Sequence, residues 1–272
     1  MSLFAIALLA TAPATGDAAE PIVVTGTPVT REEARKRAAQ FVRRAGVAQL
    51  QPVARWTMPV CPRTVGLDDN VAAIVDNRIR AVAASTGAKV APAGCAANIV
   101  VVFTADGNGL ARAILKKSPD LLAEMSPVAR ARILDGDGPI RWWYNTRVET
   151  RHGMPVSNGM TRQYNSSIVS TQVVRALQSA TVIVDVEKAE GTPLEAVASH
   201  AAMVALAELS SNPPPPEGSI MGLFDGESGR RELSDSDTAL LRGIYEIPPD
   251  REAFQHRRQL VSTVRKEQQG EE

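Results

Sequence analysis

The chain has 272 residues with 30 basic and 30 acidic side chains, which gives a formal net charge of +0. This balance argues against nucleic acid or an anionic membrane surface as a partner. A hydrophobic content of 44% is that of a globular protein, and the length is sufficient for one large domain or two small ones. Aromatic residues make up only 4%, so a local cluster of them is informative.

Residues 1–19 have the pattern of a secretory signal peptide. Leu3–Ala10 is an apolar run too short to span a bilayer, and small residues with a cleavage site before Ala19 follow it. Met1 and Ser2 bring no Lys or Arg, which is atypical of such a signal. No cysteine adjoins the cleavage site, which disfavours a lipoprotein anchor. We therefore expect a periplasmic or secreted protein with no transmembrane segment after cleavage.

Residues 20–29 are expected to form a flexible arm or an edge strand. Glu20–Gly26 has the sequence EPIVVTG and resembles the short box by which outer-membrane receptors contact their energy-coupling protein. Because short runs of apolar and β-branched residues recur by chance, the arm is the favoured interpretation.

The next segment carries the signals of a capped helix. Thr30 and Glu33 form a capping box, and Gly46 is a stop signal after Ala45. The positions away from the apolar stripe are basic, and we expect them to form a solvated face: Arg31, Arg35, Lys36, Arg37, Arg43 and Arg44.

Two strands and a helix are predicted after this. Val53–Leu67 contains Pro59 and Pro62, which favour an edge or broken strand. A helix is expected from Asp68 or Asp69 to about Ser85. Asn98–Thr104 is a continuous apolar run, which predicts a strand buried on both faces.

Cys61 and Cys95 are the two cysteines of the chain. In an exported protein an even pair suggests one disulfide, which would stabilise the fold by roughly 3–4 kcal/mol. The alternative is two buried free thiols. Without histidine neighbours the pair makes a poor metal site, and we predict no metal and no cofactor.

Glycine and proline signals mark the middle of the chain. Ser118-Pro119 and Ser126-Pro127 each predict the start of a short helix. Asp135–Pro139 begins like a calcium loop but lacks its ligand spacing, so we interpret it as a turn. Gly107–Gly109 lacks the third glycine of a phosphate loop and is interpreted as a strand-to-helix turn.

Ile140–Val148 is predicted to be a strand that holds the densest aromatic cluster. Strand alternation places Trp142 and Tyr144 on one side and Trp143 on the other. One face is expected to be core, and the other is a candidate surface for a peptide, a glycan or another protein.

Two further strands are predicted at Ser167–Val174 and Ala180–Val186, with a hairpin around Arg175–Ser179. A central helix over Thr192–Leu209 follows, capped by Thr192 with Glu195 three residues later. Its faces are apolar almost all round, so we expect it to be covered on most sides.

His200 is the residue in this helix that suggests chemistry. A zinc hydrolase helix has the pattern H-E-x-x-H, but Ala201 and Val204 occupy the positions of its Glu and second His. A single His on an apolar helix is more often a core residue than a ligand. Glu195 and Asp185 are the other weak catalytic candidates, while His152 and His256 are predicted in a loop and on a charged helix.

The C-terminal part is predicted to be helical. Pro213–Pro216 forms an extended link, and Gly218–Phe224 a hydrophobic loop. Ser234 begins a helix with Asp237 three residues on. The last helix begins at Asp250, and its many charges suggest that it frays in solvent.

The order of these elements resembles a group of uncharacterised exported bacterial proteins with a zincin-like (metzincin-like) layout, over about Thr30–Tyr245. The clearest matches are Gly218–Phe224 and Leu233–Tyr245. Further matching positions are Trp56, Cys61-Pro62, Cys95, Asn98-Ile99-Val100 and Trp142-Trp143-Tyr144. The resemblance implies an α+β fold with a mixed twisted sheet of about five strands packed on helices. Members that look catalytic place a glutamate within the central helix, where this chain has Ser199-His200-Ala201-Ala202, so no residue is carried over as catalytic.

These observations predict one domain over residues 30–248, followed by a helix and charged tail at 249–272. Three functions are compatible with them. The first is a non-catalytic, degenerate protease-like domain that serves binding or envelope structure. The second is a periplasmic peptidase or amidase that uses His200 with Glu195 or Asp185. The third is an accessory protein that binds an envelope partner through the arm or the aromatic strand.

Overall fold

The structure is a computed structural model that describes residues 30–122, 125–150, 152–156, 170–171, 173–210, 214–226 and 229–270. The expected signal peptide at residues 1–19 and arm at residues 20–29 lie outside the described residues. So do residues 157–169, which include the start of the strand expected at Ser167–Val174.

Within these ranges the chain forms seven α-helices and four β-strands, in the α+β class that the sequence predicts. The elements in chain order are α1 (Arg31–Arg44), β1 (Pro62–Val65), α2 (Asp69–Thr86), β2 (Ile99–Thr104), α3 (Gly107–Lys117), α4 (Pro127–Asp135), β3 (Ile140–Thr150), β4 (Val173–Asp185), α5 (Leu194–Ala205), α6 (Asp235–Glu246) and α7 (Ala253–Gln269). Short 3-10 helices lie at Pro119–Leu122 and Ile220–Gly222.

The four strands form one mixed sheet in the order β1, β2, β4, β3. β2 pairs in parallel with both β1 and β4, and β3 pairs antiparallel with β4. The carboxyl ends of β2 and β4 therefore meet at one edge of the sheet, beside the start of β3.

The described sheet has four strands where the sequence predicted about five. Val173–Asp185 is one continuous strand, so the hairpin expected around Arg175–Ser179 does not form. The pairing with β3 shifts register between Asn145 and Thr146, which leaves Gln178 as an extra residue. Such a β-bulge shifts the inward-facing positions by one. The apolar pattern is consequently out of phase on either side of Gln178, and one strand resembled two.

The sheet is covered on both faces. One face carries α2 and α5, which with α1, α6 and α7 enclose the main core. The other face holds a smaller core in which Trp143 and Ile183 meet α3 and α4. Trp142 belongs to the main core, so the two neighbouring tryptophans point to opposite faces as strand alternation predicts.

Two of the predicted capping signals and one predicted helix stop are found in the structure. Thr30 and Glu33 form a capping box at the start of α1, and Ser234 and Asp237 form another at the start of α6. α2 ends at Gly87, whose φ of 93° is left-handed.

The central helix α5 begins later than predicted. It begins at Leu194, with Pro193 as the N-cap, and no side-chain cap bond forms. The expected capping box of Thr192 and Glu195 is therefore absent. The expectation that this helix is covered is confirmed, because every residue over 196–205 is buried.

α5 also ends earlier than predicted. Ala207 forms an antiparallel bridge with Arg55, and the N–H of Glu208 donates to the carbonyl of Ala54 at 3.3 Å. The Glu208 carboxylate accepts two hydrogen bonds from Arg175, at 2.5 and 2.8 Å. This pairing replaces the last helical turn.

The last helix, α7, does not fray as expected. Leu260 and Val264 are fully buried in the main core, where they pack beside α1 and α6. The apolar stripe of α7 thus holds the helix in place although most of its surface is charged.

Cys61 and Cys95 form the predicted disulfide, with their Cα atoms 6.1 Å apart. The bond joins the start of β1 to the loop before β2. Disulfides persist in oxidising compartments, so this one is compatible with a location outside the cytoplasm.

None of the described helices combines the length and apolar character needed to cross a bilayer.

Candidate functional site around His200

His200 lies on α5 at the centre of the main core, with 3% of its surface exposed. Its ring packs edge-on against Trp142, with 5.7 Å between ring centroids, and against Phe224 at 6.0 Å. Trp142 comes from β3 and Phe224 from the segment after the 3-10 helix Ile220–Gly222. Three separate parts of the chain therefore enclose the imidazole in apolar surface.

This environment decides the protonation state of His200. Burial lowers the pKa of His200 to about 4, and the backbone of Met221 only partly offsets the effect. The ring is therefore neutral at pH 7. Its Nδ1 is buried and has no hydrogen-bond partner among the described residues.

The two candidate carboxylates lie away from this ring. Glu195 is exposed in the first turn of α5. Asp185 is buried at the end of β4, where its carboxylate accepts the N–H of Gly107 at 3.1 Å and the N–H of Lys188 at 3.3 Å. In the part of the chain that the structure describes, neither forms a hydrogen bond or ion pair with His200.

The other two histidines do not join His200. His152 is exposed in a turn. His256 is buried on α7, where its Nδ1 accepts the N–H of Val53 at 3.2 Å and its Nε2 lies 3.1 Å from the carbonyl oxygen of Pro248. Burial lowers the pKa of His256, so this neutral ring fastens α7 to the segment before β1. Across the described ranges, no three His, Cys, Asp or Glu side chains are arranged to hold a metal ion.

The aromatic residues of β3 have internal partners. Trp142 Nε1 donates to the carbonyl of Leu209 at 3.2 Å, and the Tyr144 hydroxyl also bonds near the end of α5. Trp143 packs in the smaller core with Ala111 and Leu115. Both tryptophans are buried, so a ligand would reach their rings only if the helices on the two faces of the sheet moved away.

A polar cluster that the sequence only partly indicated lies at the carboxyl edge of β2 and β4. Arg141 is buried; its Nη2 donates to the carbonyl of Gly138 at 3.0 Å, while its Nη1 has no hydrogen-bond partner in the described chain. The first residue of α3, Gly107, lies against this guanidinium. A Cβ atom there would stand 2.6 Å from Arg141 Nη1 and 3.1 Å from Asp185 Oδ2.

The N–H groups at the start of α3 already have carboxylate partners. Asp185 accepts the N–H of Gly107, and Asp106 accepts the N–H of Gly109 at 2.7 Å. Because carboxylates occupy the positions where a phosphate would bind, the cluster secures a strand-to-helix turn, as the Gly107–Gly109 spacing predicted.

No protein-family model, curated protein or solved structure matches this chain. The resemblance to exported zincin-like proteins therefore stays a prediction from the sequence.

Proposed function

We propose that this chain is an exported, non-catalytic domain of degenerate protease-like layout, with a binding or structural role in the cell envelope. The observation that supports this most is the enclosure of His200 between Trp142 and Phe224. A general base must reach the proton that it abstracts from a substrate. Within the described chain only 3% of His200 is exposed, which leaves little surface for a substrate to approach, and its lowered pKa makes it a weak base.

Export is supported by two independent features. The signal pattern at residues 1–19 is one, and the disulfide between Cys61 and Cys95 is the other.

A hydrolase with an unorthodox site is the second candidate, and one observation favours it. Nδ1 of His200 is buried and has no partner among the described residues, whereas most buried polar groups in proteins are hydrogen-bonded. The accessory-protein alternative loses support for the aromatic strand, whose rings are internal. Its other surface, the arm, lies outside the described residues.

The His200→Ala variant separates packing from catalysis. We expect it to lower the melting temperature and to change no peptidase or amidase activity measured on a mixed substrate panel. Glu190→Gln, at an exposed position in the turn before the same helix, is the control and should leave both quantities unchanged. We also expect metal analysis of the dialysed native protein to find no zinc. The proposal would be refuted by one zinc per chain, or by an activity that His200→Ala abolishes without changing the melting temperature.

A further inference from the structure

A basic groove lies between the first and last helices. α1 and α7 pack side by side, and the groove between them has a volume of about 1180 Å³. Arginines line it from both helices: Arg31, Arg35, Arg43, Arg257, Arg258 and Arg265. Three of these six arginines come from each helix.

The groove has little negative charge of its own. Among the described residues that line it, Glu32 is the only acidic one, and the Glu32 carboxylate lies 3.8 Å from the ammonium group of Lys36. Arg31, Arg35 and Arg43 are exposed, as is Arg258, and in the described chain none of these four guanidinium groups forms a hydrogen bond or ion pair. The whole chain is neutral, so this concentration of like charge is local. An anionic partner would relieve the repulsion between these guanidiniums.

The groove also offers apolar contact. Ala39, Val47 and Val261 form part of its lining, and Phe254 at its edge is 57% exposed. Along α1 it extends from Arg31 to Arg43, which corresponds to about 18 Å of helix. A flat lipid surface would not enter such a concave shape, and a polyanion without apolar groups would leave Phe254 unused.

We propose that this groove binds an acidic, amphipathic segment of a partner protein, with carboxylates paired to the arginines and an apolar side chain placed on Phe254. Bidentate pairing between guanidinium and carboxylate supplies orientation as well as attraction. The proposal rests on the binding role proposed above and gives that role a surface. A segment of about 12 helical residues matches the length of the groove.

The test begins with a displayed library of random 16-residue peptides, from which those that bind the full-length protein are selected. The selected sequences should be enriched in Asp and Glu interspersed with apolar residues. Their affinity for the native protein, measured by fluorescence anisotropy with labelled synthetic peptides, should fall as salt is raised from 50 to 300 mM because exposed charges are screened. Selected peptides without acidic enrichment would overturn the proposal.

Two variants locate the binding surface. Arg35→Glu with Arg258→Glu should weaken the best selected peptide at least about tenfold, because two attractions become repulsions. Lys116→Glu with Lys117→Glu makes the same change in net charge on exposed residues of α3 and should leave affinity within about twofold. Circular dichroism verifies that both variants fold. Equal losses in the two variants would overturn the proposal.

Phe254→Ser distinguishes a peptide ligand from other anions. It should lower the affinity for the peptide about fivefold, since the apolar contact with the exposed ring is lost. Heparin, a DNA duplex and phosphatidylglycerol vesicles serve as competing ligands. If one of them binds the groove more tightly than the best peptide and is unaffected by Phe254→Ser, the occupant is not an acidic protein segment. Because His200 is outside the groove, zinc or hydrolase activity would refute the non-catalytic role without changing any of these affinities.

Discussion

Tyr144 donates its hydroxyl hydrogen to the carbonyl of Val204 over 2.5 Å and accepts the N–H of Leu209 at 3.2 Å. The next two carbonyls of the chain are paired in the same way: Ala205 with Trp56 Nε1 at 2.9 Å, and Leu206 with the Tyr245 hydroxyl at 2.5 Å. The last carbonyls of a helix have no partner within it. Aromatic side chains from three parts of the fold therefore complete the end of the buried helix α5.

Removing the Tyr144 hydroxyl should destabilise the protein. Tyr144→Phe leaves the Val204 carbonyl and the Leu209 N–H without this partner, and we expect the free energy of unfolding to fall by about 1–3 kcal/mol. Urea denaturation measures this loss. Tyr245→Phe removes only one such bond and should cost less. A Tyr144→Phe protein as stable as the native one would show that the two hydrogen bonds of this hydroxyl contribute nothing to stability.

Acidification should destabilise the fold through His200. The folded pKa of about 4 lies below the unfolded value of about 6.5, so the unfolded chain binds more protons between these values. The neutral His200 therefore contributes about 3 kcal/mol to the free energy of unfolding. This contribution is fully present above about pH 6.5 and is lost as the pH falls to about 4. His200→Leu should flatten this part of the stability curve.

The comparison is made by urea denaturation at pH 7.5, 6 and 5. His256 is also buried with a lowered pKa and contributes in the same direction, so the slope should shrink rather than vanish. His152→Gln, an exposed site, is the control and should retain the native slope. An identical slope in His200→Leu and the native protein would contradict the prediction.

Gly107 should not tolerate a side chain. Gly107→Ala places a Cβ 2.6 Å from Arg141 Nη1, so the buried guanidinium must move. We expect the free energy of unfolding, measured by urea denaturation, to fall by about 1–3 kcal/mol. Gly138→Ala is the matched control, because the nearest atom to its Cβ lies 3.8 Å away. If both variants are as stable as the native protein, the packing at the start of α3 is looser than these distances imply.

Reduction of the disulfide should lower stability. Opening the Cys61–Cys95 bond releases a loop with a sequence separation of 34. We expect the free energy of unfolding to fall by about 3–4 kcal/mol. Denaturation of the native protein with and without dithiothreitol measures it. The double variant Cys61→Ala and Cys95→Ala should show the same loss and be insensitive to dithiothreitol. Two titratable thiols in the untreated native protein would rule out the bond.

Most predictions based on neighbours within one turn or one strand were confirmed, although the capping box of Thr192 and Glu195 does not form. The capping boxes at Thr30 and Ser234 and the stop at Gly87 depend on backbone groups a few residues away. The opposite orientation of Trp142 and Trp143 follows from strand geometry alone. The disulfide could be predicted because the chain has only two cysteines.

Most of the predictions that failed depended on contacts between distant parts of the chain. β4 stays paired with β3 on both sides of the register shift at Gln178, so the two predicted segments form one strand. α5 ends early because Ala207 pairs with Arg55, more than a hundred positions away in the chain. α7 is ordered because its stripe meets a core built by earlier helices, which its own charged sequence does not reveal.

The sequence by itself determined the α+β class, most helix starts, the disulfide pairing and the absence of an H-E-x-x-H motif, because each depends on residue identity and short-range geometry. Only the tertiary structure decided that His200 lies between Trp142 and Phe224, and that the arginines of α1 face those of α7 across a groove. Burial and charge clustering are properties of residues far apart in the chain. They arise only when packing brings those residues together.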